Sequence, residues 1–203
     1  MKIDIQDNLP IRISARVIND IIVSNNSSAF QELIKVGQSY RNNFANLAIS
    51  QIDGIQEART FFRAIGIDPT KRRPSSEALL RRALNNKDFY QINNVVDVAN
   101  LVSLKSLLPV CVYDYDAIQG QIFVKLGSHP DEYLAHNHRI MNFQDKFVIC
   151  DELGPFGSPL TDSLRTAVTK KTSNVLALIF APKDYNYQKL EDYLDQIMLG
   201  MKN

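Results

Sequence analysis

A chain of 203 residues, 45% of them apolar, is long enough to bury a full core and reads as one domain. No apolar run approaches the roughly 18 residues that cross a bilayer, and the opening MKIDIQDNLP lacks the apolar stretch of a secretory signal. A formal net charge of +1 excludes a general electrostatic attraction to nucleic acid, so any RNA contact has to be local.

In chain order, Ile3 and Ile5 predict a short edge strand. Residues 11–23 (IRISARVINDIIV) are rich in β-branched side chains and predict one strand, or two with a break near Asn19 and Asp20. Asn25 to Ser28 supply capping residues. Phe30, Leu33, Ile34, Gly37, Tyr40, Phe44, Leu47 and Ala48 then recur at three- and four-residue steps, the pattern of an amphipathic helix of about five turns, with the Asn-rich patch near Asn42 as its weak point. A second helix is expected from Gly54 to Ile65, with Ile55, Ala58, Phe62 and Ile65 inward and Gly66 as its left-handed stop. After Pro74, Ser75 or Ser76 with Glu77 signals the start of a third helix, SSEALLRRAL, whose buried side would be Leu79, Leu80, Ala83 and Leu84.

Residues 91–116 (QINNVVDVANLVSLKSLLPVCVYDYD) read as the piece around which the rest is assembled. Val95, Val96, Val98, Ala99, Leu101, Val102, Leu104, Leu107 and Leu108 leave so little polar surface that a helix here must be covered on most sides. Asn93, Asp97 and Asn100 fall on one stripe at helical spacing, with Ser103 at its margin. Such a stripe either hydrogen-bonds neighbouring backbone or, with the Pro109 to Asp114 turn, lines a pocket. Pro109 ends the helix, and VCVY follows as a buried strand closed by Asp114 and Asp116.

Gln121 to Leu126 and Phe147 to Cys150 read as further strands. Between them His136 and His138 would point the same way on an extended segment, but a structural zinc needs four ligands and only His129 accompanies them, so no metal site is expected. Gly154 to Pro159 reads as a turn-rich loop. Asp162, Ser163, Arg165 and Thr166 form a polar group ahead of an apolar strand, Asn174 to Phe180. Arg165 suits a carboxylate or phosphate, or one of the chain's own acids. Tyr187, Leu190, Leu194, Ile197, Met198 and Met201 mark a closing amphipathic helix over residues 186–201, whose inner face must dock in this chain or on a second copy. The irregular succession of helices and strands predicts an α+β fold with a mixed or antiparallel sheet. Cys111 and Cys150 stand in separate apolar settings, as reduced thiols of a cytoplasmic protein do.

Lys71, Arg72, Arg73, Arg81 and Arg82 crowd into a dozen residues, either as a solvated face or as a phosphate or RNA contact. No G-x-x-x-x-G-K-S/T loop, G-x-G-x-x-G turn, G-x-S-x-G elbow or H-E-x-x-H helix occurs, so nucleotide-dependent, serine esterase and zincin chemistry have no support and no cofactor is expected.

The stretch INNVVDVANLVSLKSLLPVCVYDYDAIQG resembles the signature of the B3/B4 domain of the phenylalanyl-tRNA synthetase β subunit, in which an NNVVDVTNYV helix leads into P-x-H-x-F/Y-D-x-D-x-I. IQEARTFFRAIGIDP, KRRPSSEALLRRAL and TDSLRTAVTKKTSNVLALI resemble the free-standing proteins built from that domain, and the likeness covers roughly Ile11 to Pro182. The resemblance implies a three-layer α+β fold, a β-sandwich of unusual topology with the central helix in its middle. In the synthetase this domain hydrolyses tyrosine wrongly esterified to the phenylalanine tRNA. Carried over by position, the family's pocket histidine falls on Cys111, and its pocket glutamate has no counterpart, an ungapped alignment giving Leu164. The segment that completes the synthetase pocket is replaced by the closing helix. Arg59, Arg73, Ser75, Glu77, Asn100, Ser103, Tyr113, Asp114, Arg165 and Thr166 instead match the free-standing relatives.

Two functions follow as expectations. One is binding of tRNA or aminoacyl-tRNA with hydrolysis of mischarged ester in trans, needing a held water and an oxyanion donor. The other is a non-catalytic module for RNA or an amino-acid-like small ligand. The pocket candidates are Asn93, Asp97, Asn100, Ser103, Cys111, Tyr113, Asp114, Arg165 and Thr166, and the RNA-binding candidates are the five cations above. A thiol at Cys111 with no adjacent base is expected to be inert.

Overall fold

In the computed structural model, which describes residues 3–202, the elements run in the order β1 (Ile3–Ile5), β2 (Ile11–Ile18), α1 (Ser28–Phe44), α2 (Ile55–Ala64), α3 (Ser75–Leu84), α4 (Asn94–Ser106) and β3 (Val110–Asp114). Then follow β4 (Ile122–Leu126), β5 (Glu132–Leu134), β6 (Ile140–Asn142), β7 (Phe147–Asp151), β8 (Gly154–Ser158), β9 (Thr161–Asp162), β10 (Val175–Pro182) and α5 (Tyr187–Lys202). They form the expected α+β architecture in three layers. A sheet of order β2-β10-β3, antiparallel throughout, lies between a layer of helices and a second sheet of order β1-β4-β7-β8-β9. In the second sheet only β1 runs parallel to its neighbour.

The period of two along β10 decides what lies on either side. Val175, Ala177, Ile179 and Ala181 join Val95, Val98 and Val102 of α4 and Leu190, Leu194, Ile197 and Met201 of α5 in one core. Leu176, Leu178 and Phe180 face the other way and pack between the sheets with Tyr113, Ile122, Val124, Ile149 and Phe156. At one end of that sandwich α2 inserts Phe61 and Phe62, and Phe61 meets Phe180 and Phe147 at centroid separations of 5.4 and 6.1 Å. The other side of α4 contributes Leu104 to a third core with Leu33 of α1, Ile55 of α2 and Leu80 of α3. The central helix is therefore covered on most sides, and Leu107, at φ 55°, turns the chain out of it ahead of Pro109.

Several expectations are corrected. The first helix stops at Phe44, where the Ala45 N–H still bonds the Arg41 carbonyl, and Leu47, beyond its end, is exposed. Residues 154–158 are a strand, not a loop: Gly154, at φ 113°, makes a tight turn that folds the segment back onto β7, and sheet pairing overrides the weak propensity of Pro155 and Gly157. The third helix begins after Pro74, which as the capping residue has no side-chain acceptor, and Glu77 turns inward; Ser76 and Glu77 are buried while Leu79 and Leu84 are only half-buried. His138 has φ 59°, so His136 and His138 do not share an extended segment. The closing helix docks on its own chain, where Arg16 of β2 holds Glu191 at 2.9 Å and also Asp195, although Tyr187 stays exposed.

Glu77 is 1% exposed and receives Arg59 through Nε and Nη2 at 2.8 and 2.9 Å, and Arg81 at 2.9 Å. Burial pushes this carboxyl up, but the hydrogen bonds and charges of the two arginines outweigh burial and hold it below its ordinary value of 4.5. Its stabilising effect is thus present above that value and fades as pH falls through the lowered one. Glu77→Gln is expected to lower the unfolding free energy by about 2–3 kcal/mol in urea at neutral pH, under the ~3–5 of a fully buried pair, since the Arg81 side chain is 38% exposed. The deficit should shrink in acid; a pH-independent deficit would assign it to packing.

Candidate functional site

The polar stripe of α4 ties chain segments together. Asn93 caps the helix by accepting from the Val96 N–H at 2.9 Å, and Asn94 accepts from the Ser24 N–H and donates to the Ile22 carbonyl. Asp97 is fully buried, and its Oδ1 accepts from the Ile92 N–H at 3.1 Å. Burial raises its carboxyl above the ordinary range, with that N–H and the Ser27 hydroxyl pulling the other way. The Ser103 hydroxyl donates to the Leu108 carbonyl at 2.8 Å, satisfying one of the acceptors left open where the helix ends. Asn100 is half-buried on the same helix.

The remaining pocket candidates separate into two places. Asp114 accepts from Asp116 N–H and, at 2.7 Å, from the Thr172 hydroxyl, which anchors the loop before β10. Arg165 makes a fork onto Asp151, Nη1 to Oδ2 and Nη2 to Oδ1, each 2.9 Å, and donates to the Ala117 carbonyl at 2.8 Å. Of the two partners open to it in the sequence, its own acid has taken the guanidinium. Thr166 is buried and hydrogen-bonded with Ser163 at 3.0 Å.

Cys111 and Tyr113, two apart on β3, point between the sheets into a cluster with Tyr133, Ser158 and Asp162. The Tyr113 ring stands edge-on to Phe156 at 5.1 Å. Its hydroxyl comes so close to Gly157 that a Cβ there would lie 2.3 Å away, so this position excludes any side chain. Cys111 Sγ lies 3.9 Å from the Ser158 carbonyl, which it faces as a donor. The Tyr133 hydroxyl donates to the Thr161 carbonyl at 2.6 Å and lies 3.5 Å from the Ser158 hydroxyl. Asp162, paired with Gly157 across β8 and β9, completes the group. Its Oδ1 and the Tyr113 Oη are both buried without a partner of full hydrogen-bonding geometry.

Burial pushes the Asp162 carboxyl up to about 7, against the opposing pull of the Tyr113 hydroxyl. Burial and then the Asp162 charge raise the Cys111 thiol and the Tyr113 phenol well above their ordinary values. The thiol is therefore protonated and a poor nucleophile. The acid in this cluster with a near-neutral titration is Asp162. Sequence reasoning placed it in a polar group but passed it over, as it did Tyr133 and Ser158, because an acid next to a turn is usually solvated and nothing in PLTDSL marks it as buried.

The basic run also divides. Arg81 is bound to Glu77. Arg82 donates to the Asp88 carbonyl and lies 4.3 Å over the Tyr90 ring. Lys71, Arg72 and Arg73 are exposed and in no salt bridge among the described residues. Lys71 and Arg72 flank a cleft of about 330 Å³ that extends to Ser158.

Three comparisons bear on this geometry. The family described as the B3/4 domain matches residues 57–189. The phenylalanine–tRNA ligase beta subunit of Mycoplasma pneumoniae is 27% identical over 131 residues, 64% of this chain and 16% of that protein. The Moorella thermoacetica beta subunit is 30% identical over 104 residues, covering 50% and 13%. The chain thus spans less than a fifth of these relatives. A crystal structure of an N-terminal fragment of the phenylalanyl-tRNA synthetase beta subunit from Pyrococcus horikoshii superposes with a TM-score of 0.46 at 14% identity, over 53% of this chain and 39% of that one. No helix among the described residues is long and apolar enough to cross a membrane.

A carboxyl that titrates near 7 in the folded chain and near 3.8 when unfolded keeps its proton longer in the native state, so stability falls as pH rises between those values. Asp162→Asn should remove that slope. Its unfolding free energy is expected to drop by ~2–4 kcal/mol less than the parent's between acid and mildly alkaline pH, as read from urea titrations across that range. Parallel profiles for the two proteins would place the carboxyl in water.

Proposed function

Because the chain belongs to the B3/4 domain family, we propose that it binds tRNA or aminoacyl-tRNA. The observation that carries this reading is the contrast among its arginines. Arg59, Arg81 and Arg165 are spent on internal acids, whereas Lys71, Arg72 and Arg73 stand together in solvent with no salt bridge among the described residues. Arginine's planar fork and the point charge of lysine both suit phosphate, and a cluster of this kind gives binding without a basic molecule overall. The similarity to ligase beta subunits supports RNA as the source of those phosphates.

A second reading, hydrolysis of mischarged aminoacyl-tRNA in trans, is favoured by Asp162. A carboxylate whose titration lies near 7 suits a general base. In this reading Asp162 takes a proton from water as the water oxygen bonds to the ester carbonyl carbon. A tyrosine hydroxyl of the cluster donates to the carbonyl oxygen as it gains charge. The bond to the ribose oxygen then breaks, and the proton passes to that oxygen. Cys111 remains a protonated wall residue at the position of the family's pocket histidine.

Replacing Lys71, Arg72 and Arg73 together with Gln should weaken tRNA binding by about 10- to 100-fold at low salt and flatten the dependence of log affinity on log salt by up to about 2. Fluorescence anisotropy at several salt concentrations reads both. Unchanged affinity and slope would sink the RNA reading and point to an amino-acid-like small ligand. For the hydrolytic reading, release of amino acid from a panel of mischarged tRNAs should exceed the buffer rate with the parent protein and fall ~100-fold or more with Asp162→Asn. Release no faster than buffer leaves a binding module alone.

A further inference from the structure

The cleft beside the free cations differs in character from the polar surface around it. Its floor is apolar, formed by Ile65 from the end of α2, Met141 and Phe147 from either side of the β6–β7 turn, and Leu160 from the β8–β9 turn. Three separate parts of the chain thus converge on it, and two of its floor residues, Ile65 and Phe147, are 3% exposed and belong to the main cores. The floor is consequently fixed by packing in the rest of the molecule. Leu160 is 38% exposed, which leaves an apolar lip open to solvent.

Cations border the cleft from two separate parts of the chain, Lys71 and Arg72 in the loop after α2 and Lys146 in the β6–β7 turn. Lys146 spends one N–H on the Asn142 carbonyl at 2.9 Å and has two left to donate. Of the acids on the rim, Asp68 is turned to the Thr70 N–H and hydroxyl at 2.9 and 2.7 Å, which holds its carboxyl below the usual range. Asp145 is the other, set against three cations. A ligand that matches this pattern has a flat, weakly polar ring for the floor and anionic groups on either side of it. The volume, about 330 Å³, lies at the small end of the ~300–1,000 Å³ typical of ligand sites, which accommodates one ring with its sugar and excludes a stacked pair.

We infer that this cleft takes one unpaired nucleotide of an RNA strand, its base on the apolar floor and its flanking phosphates on Lys71 and Arg72 of one segment and Lys146 of another. The inference rests on the RNA-binding reading above and narrows it, because a base held in a duplex is stacked and paired and cannot enter. The cleft therefore selects single-stranded RNA over duplex, a preference that the exposed cations alone do not supply.

The test compares a short single-stranded oligoribonucleotide with a blunt duplex carrying the same number of phosphates, on the full chain and on Leu160→Asn, which removes the apolar lip without changing charge or adding a stacking face. The single strand should bind the parent more tightly, and Leu160→Asn should cost it about tenfold while leaving duplex affinity unchanged. Equal affinity for both forms, insensitive to Leu160→Asn, overturns the cleft assignment and leaves the RNA reading standing. Titration with AMP, followed by amide chemical shifts, decides the cleft independently of any tRNA result. Shifts confined to residues 65–72, 141–147 and 158–160 in the parent and lost in Leu160→Asn support it even if tRNA does not bind. Shifts there with phenylalanine amide and none with AMP overturn it. Should Leu160→Asn fail to fold, Lys146→Glu replaces it, with the same loss of AMP binding expected.

Discussion

Burial of β10 on both faces is the constraint from which the rest of the architecture follows. Seven of its eight residues, Val175 to Ala181, are buried. A strand in that position needs helices over one face and a second sheet over the other, and its side chains are sized accordingly. Small Ala177 and Ala181 alternate with Val175 and Ile179 on the side where α4 and α5 approach, and Leu176, Leu178 and Phe180 fill the wider space between the sheets. The same strand aims the candidate site. Cys111 sits opposite Leu178 and Tyr113 opposite Leu176, so both share the inter-sheet face. A slip of one residue would turn them toward the helices and bring Val110 and Val112 into the sandwich.

Polar chemistry in this chain is largely spent on construction. Arg16, Arg59, Arg81 and Arg165 each meet acids of their own chain, and the amides and carboxylate at the start of α4 hold backbone groups of residues 22–24 and 92–96. Two places bear on the candidate site. The Asp162–Tyr113 pair joins Ser14, Ser76 and the second Asp97 oxygen among the buried polar groups without a partner of full hydrogen-bonding geometry, a state that costs free energy. The Lys71 to Arg73 run is exposed and in no salt bridge among the described residues. These lie near one another through Ser158, which bonds within the cluster and also borders the cleft that Lys71 and Arg72 flank.

Much of the fold was legible in the sequence where pattern and environment agree. The apolar run at residues 175–180, the nearly all-apolar helix at 94–106 with its proline exit, and the stripe Leu190, Leu194, Ile197 and Met201 each carry a single physical reading. Segments governed by partners far away in sequence were less so. Residues 154–158 contain proline and two glycines and look like a loop, yet pairing to β7 makes them a strand. Glu77 looks like a helix-start residue, but Arg59, on a different helix, draws it inward. For the candidate site, the family resemblance pointed to Cys111 and Tyr113, while Asp162 was hidden because its neighbours Tyr113, Tyr133 and Gly157 lie on other strands, which no local pattern reveals.

The pairing of β10 with β2 joins two strands far apart in sequence, Ile11 with Pro182 and Ile18 with Val175. During synthesis on the ribosome β2 therefore emerges long before the strand it pairs with. Until then α4 lacks its sheet and the apolar side of β2 has no cover. The helical layer of α1, α3 and α4 has all its parts once residue 106 is made, well before that moment, so nascent chains should collect as a helical half waiting for its sandwich, the stage at which a chaperone would have most to hold.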